Sequence, residues 1–167
     1  MPSSNLLRHL FSITAIGVSA AVLFILVQPL FGMETITSRH SQAYISQGGY
    51  SDIAAITLSW GLHTLVSIVY ATASIAIYTL NSSKWVSLGQ VLLLGWVSTL
   101  IATPANVIAI KVITLGYFPD FSTVPPLNGD VGPKLWLHIV FFVLVLAMAY
   151  ALDYIKRDTR LSYRRRA

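Results

Sequence analysis

Residues 53–80 read IAAITLSWGLHTLVSIVYATASIAIYTL, a stretch without a single Asp, Glu, Lys or Arg. A helix rises about 1.5 Å per residue, so a run of this length reaches across the roughly 30 Å hydrocarbon core of a bilayer. A β-barrel strand would be shorter and would alternate apolar with polar residues, and this stretch does neither.

Working outward, the same signature recurs on both sides. Phe11 to Phe31 is apolar, Trp85 to Ile110 is apolar and continues as helix towards Leu115, and Leu135 to Ile155 is apolar again. The first run follows Arg8 and His9, and Val18-Ser19-Ala20 has the small-residue look of a cleavage site. A secretory signal nevertheless has an apolar region of only about 7–15 residues, and Ala21 to Leu30 stays apolar, which predicts an uncleaved span. The expected fold is all-α: four transmembrane helices, approximately 11–31, 53–80, 85–115 and 135–155, in an antiparallel bundle. Loops 32–52 and 116–134 would lie on one side, with a basic tail over 156–167 on the other.

Composition agrees. Hydrophobic residues make up 55% of the 167-residue chain and charged residues 10%, where soluble domains carry roughly 25%. Four spans with their connections use nearly the whole chain and leave one membrane domain. Cysteine is absent, which excludes disulfides, thiolate metal sites and thiol–quinone chemistry.

Lys and Arg set the expected orientation. The N-terminus, the tight turn Asn81-Ser82-Ser83-Lys84 and the tail hold Arg8, Lys84, Lys156, Arg157, Arg160, Arg164, Arg165 and Arg166. The two longer loops hold only Arg39, Lys111 and Lys134. Both ends are therefore expected in the cytoplasm, in a bacterial inner membrane. The tail reads as a topology anchor that also meets anionic lipid. It is too short, and lacks the folded platform, for a nucleic-acid partner. Trp85, Trp136, Tyr117 and Tyr154 fall near span ends, as interfacial aromatics do.

The polar residues at membrane depth mark where a site would sit. Gln28, His63, Asn106 and His138 all count to the outer half of the expected bundle. Ser59, His63 and Ser67 form a stripe at four-residue spacing, and Gly95, Ser98, Ala102 and Asn106 form another. Small and polar stripes let helices approach and bond across the contact, so both should face the interior. Pro104 removes a backbone donor and frees the carbonyl of Leu100, with Thr103 and Asn106 as the expected compensation and a static bend or a hinge as the result.

His63 reads either as a proton-carrying group or as a structural hydrogen-bond partner. His138, nearer the interface, reads as structural. Counted along the spans the two are about 9 Å apart in depth, which disfavours haem ligation between them. No metal-ligand set, catalytic fingerprint or cofactor loop is legible, so no catalytic residue, metal or cofactor is assigned. Asp153 reads as a structural pair with Lys156 or Arg157 on the next turn.

The layout of four spans, inner ends and two outer loops is similar to that of the small bacterial immunity proteins that protect against pore-forming bacteriocins. The lack of catalytic residues and the apolar helix faces point to a non-enzymatic accessory protein (a complex subunit, assembly factor or immunity-type protein) acting through helix contacts with another membrane protein or a second copy. The alternatives are an oligomeric transporter or channel component built on the His63–Asn106 cluster, and a quinone-linked enzyme subunit.

Overall fold

The computed structural model describes residues 3–129 and 132–164, with side chains for 6–129 and 132–153. The elements are α1 (Ser3–Val27), a short 3-10 turn (Gln28–Phe31), α2 (Ile36–Gly48), α3 (Asp52–Leu80), α4 (Lys84–Leu115), a second 3-10 turn (Phe121–Thr123) and α5 (Pro133–Arg164). Segments of α1, α3, α4 and α5 are long and apolar enough to cross a membrane; that of the first runs on through the 3-10 turn.

Several polar residues are buried while many large apolar ones are exposed. Ser59, Ser67, Ser74, Gln90, Ser98 and Thr99 are buried, whereas Phe11, Leu30, Leu65, Trp85 and Leu93 are exposed. Exposed apolar patches of this extent mark a surface suited to contact with apolar material. The apolar core lies between α1, α3 and α5: Ile16, Ala20 and Phe24 meet Ala71 and Ile75 and then Leu137, Phe141, Phe142 and Val145.

Two close approaches fix this packing. A Cβ on Gly17 of α1 would lie 2.7 Å from the Cα of Ile68, so α1 and α3 are nearly in backbone contact. On Gly95 of α4 it would lie 2.9 Å from Ile139 Cγ1, which seats α4 against α5. The small-residue stripe of α4 thus faces α5 at Gly95. Although α3 and α4 are joined directly through residues 81–83, they touch each other little, and α2 packs against both.

Helix α2 occupies the segment that the polarity of 32–52 marks as a loop. Its ends have local causes. The Thr35 hydroxyl accepts the amide of Ser38 at 3.3 Å, an N-cap. Gly49, at φ 66°, closes the helix in the left-handed conformation that a side chain would resist. Its inward stripe is Thr37, His40 and Tyr44, all buried. Two distant bonds pin it: Gln28 Oε1 accepts the amide of Ile36 at 2.8 Å, and just beyond its C-terminus the Tyr50 hydroxyl donates to the Ile113 carbonyl at 2.8 Å.

Pro104 lies inside α4. The carbonyl it frees, on Leu100, accepts the backbone amide of Asn128 at 3.0 Å. The compensation therefore comes from neither Thr103 nor Asn106 but from the Pro-rich connection, which folds back along α4. A buried carbonyl left without a donor would cost about 1–3 kcal/mol. Lys111 ties the same connection from above, donating to Thr123 Oγ1 at 2.9 Å. The helix of α5 continues through the expected tail to Arg164. The side chains of Tyr154, Lys156, Arg157, Arg160 and Arg164, and all of Asp130, Arg165 and Arg166, lie outside the described residues.

Candidate functional site

The gap between α3 and α4 beneath α2 encloses a cavity of about 370 Å³. That is near the lower end for small-molecule sites. Every helix contributes to it: Phe24 and Gln28 from the α1 segment, Arg39 and His40 from α2, His63, Ser67 and Tyr70 from α3, Thr103 and Asn106 from α4, and Lys134, His138 and Phe141 from α5. Among the described residues three histidines, two cations and no carboxylate line one space.

Of the residues singled out by depth, Gln28, His63, Ser67, Asn106 and His138 all border the cavity. Ser59 does not; it is buried and returns its hydroxyl to the Ile56 carbonyl at 2.9 Å. Pro104 itself stays out of the lining, but Thr103 and Ala105 beside it belong to it. Gln28 has a structural duty as well, since its amide oxygen caps the start of α2.

His63 and His138 both tilt against the Phe24 ring, with ring centres 5.4 and 5.7 Å away. The two imidazoles therefore lie within about 11 Å of each other, a bound that the roughly 9 Å of depth counted along the chain satisfies. His63 Nε2 lies 3.1 Å from the carbonyl oxygen of Ala21. His138 Nδ1 lies 3.0 Å from Thr99 Oγ1, and Thr99 donates its own proton to the Gly95 carbonyl at 2.8 Å. Among the described residues no three His, Cys, Asp or Glu side chains lie close enough to share a metal ion.

His40 is the residue that sequence reasoning left outside the cluster. It is only 4% exposed, and neither ring nitrogen has a partner at hydrogen-bonding geometry. Burial, with the positive charge of Arg39 and the nearby His63, lowers its pKa to about 4, an effect that Asn106 beside it opposes. At neutral pH it is an uncharged imidazole. Tyr44, whose ring lies 5.9 Å from that of His40, also has its hydroxyl buried without a partner. Burial and the neighbouring Tyr50 raise its pKa to about 12. The signal for both was the spacing Thr37, His40, Tyr44, a one-face helical stripe inside a polar segment.

No family, no curated protein and no solved structure matches this chain.

Proposed function

We propose that the chain is an integral membrane protein that holds a small amphipathic molecule in the cavity beneath α2. Four spans with both ends in the cytoplasm would put α2 and the cavity at the outer face, by the excess of Lys and Arg at the opposite end. A bacterial inner membrane fits that charge pattern. The exposed Leu, Phe and Trp on the spanning helices would then meet lipid.

One observation carries the reading: His40, His63 and His138 converge with Arg39 and Lys134 on one cavity, and His40, buried there beside Asn106, has no hydrogen bond of good geometry at either nitrogen. Buried polar groups without partners cost about 1–3 kcal/mol each. Such a group calls for a cause, and a bound molecule or water reached by a small shift of the ring is one. The apolar walls of Phe24, Leu137 and Phe141 and the cations Arg39 and Lys134 suit a molecule with an apolar body and an electron-rich head. Such a protein serves as the binding component of a transporter or as a ligand-holding subunit of a larger membrane complex.

The test is native mass spectrometry of the chain released from nanodiscs formed directly out of its source membrane. The wild type should carry a small-molecule adduct, and Ala102→Phe, which fills the cavity wall, should lose it while keeping its helical content. A wild-type chain that is bare, or an adduct that survives Ala102→Phe, would refute the proposal.

A further inference from the structure

We infer that the molecule held in this cavity is a dihydroxy aromatic ring of the hydroquinone class, its hydroxyls donating to His63 Nδ1 and His138 Nε2. This rests on the cavity being a binding site, and it adds the chemistry of the head group.

The tautomers decide the class. A carbonyl oxygen only accepts, so the 3.1 Å contact with Ala21 requires the proton of His63 on Nε2. Among the described residues no carboxylate lines the cavity to pair with a second charge, and the cations Arg39 and Lys134 share it, which favours the uncharged ring and leaves Nδ1 as an acceptor. Thr99 donates its one proton to Gly95, so towards His138 it accepts, which puts the proton of His138 on Nδ1, and the backbone carbonyl of Lys134 accepts from the same ring. That leaves Nε2 of His138 as a second bare acceptor. In these tautomers each of the two cavity-lining imidazoles keeps one nitrogen that accepts and none left to donate. A carbonyl head group, such as that of a quinone, finds no donor at either ring. A carboxylate or phosphate meets two lone pairs and is repelled by both. Hydroxyl groups satisfy both.

The shape agrees with one ring bridging the pair. Contacts of 5.4 and 5.7 Å to the same Phe24 keep the two imidazole centres within about 11 Å of each other. Phe24 and Phe141 meet edge to face at 5.9 Å, and Tyr70 meets Phe141 at 6.3 Å, so flat aromatic walls surround the space. A flat guest packs against such walls by stacking or edge contacts. Arg39 and Lys134 argue for the competing chemistry, an anionic amphiphile, and the experiment separates the two.

The purified full chain in nanodiscs is titrated anaerobically with tetramethylhydroquinone, with its dimethyl ether and with dodecyl phosphate. The hydroquinone should bind about tenfold or more tighter than the ether, the loss expected for two hydrogen bonds. His63→Phe and His138→Phe should each reduce that preference, read as the ratio of hydroquinone to ether affinity within the same variant. Equal binding of hydroquinone and ether would overturn the assignment and leave the cavity as a site. Tighter binding of dodecyl phosphate, undisplaced by the hydroquinone, would replace it with the anionic reading. Failure of all three probes to bind would overturn the assignment and the binding site together.

Discussion

Replacing His40 by Leu should make the protein more stable at neutral pH and flatten its response to acid. The wild-type ring is buried beneath α2 with two unpartnered nitrogens, and relief of such a group is worth about 1–3 kcal/mol. The acid response follows from linkage. Unfolded, the ring titrates near 6.5; folded, near 4. Between those values the unfolded chain holds a proton that the folded chain refuses, so stability falls as pH drops from 6.5 to 4 and is unaffected above that window. The full displacement corresponds to at most about 3 kcal/mol, and screening by the adjoining cavity reduces it to about 1–2 kcal/mol. Arg39, His63 and Tyr44 face the same ring and remain in the variant, so the difference between the two proteins isolates His40. Thermal unfolding followed by far-ultraviolet circular dichroism in detergent, repeated from about pH 4 to pH 8, reads both effects. Parallel pH profiles for wild type and variant would refute the reasoning, and so would a variant less stable than wild type at neutral pH.

Two further substitutions test the packing. Gly17→Ala drives a methyl group to within 2.7 Å of the Ile68 backbone, and should lower stability by about 1–3 kcal/mol; Gly61→Ala, with nothing within 4 Å, should be neutral or slightly stabilising, both read by denaturant unfolding. Pro104→Ala returns a backbone donor to Leu100, which then competes with Asn128; hydrogen exchange at the Asn128 amide should accelerate while the rest of α4 keeps its protection.

Much of the fold was written in long-range composition. Runs such as 53–80 admit one secondary structure, because only a helix satisfies so many backbone groups away from water. Helix α2 was hidden because polarity and a nearby Gly48-Gly49 pair read as a loop. Its helical cause is the one-face stripe Thr37, His40, Tyr44 between the Thr35 cap and Gly49, too short to compete with the apolar runs around it. The partner of the Leu100 carbonyl was illegible, since Asn128 is far along the chain in a segment with no periodicity. Depth counting gathered Gln28, His63, Asn106 and His138, because helices of fixed rise turn sequence position into height. It missed His40, which reaches the cavity from above through α2 and not along a span.

The orientation of the bundle is the claim on which the site's access depends, and the chain's lack of cysteine makes it directly measurable. Single cysteines at Ser46, exposed on α2, and at Ser82, exposed in the α3–α4 turn, can be challenged with a membrane-impermeant maleimide on intact cells. Position 46 should label at once, and position 82 only after the membrane is permeabilised. Labelling of position 82 on intact cells, with position 46 protected, would contradict this orientation.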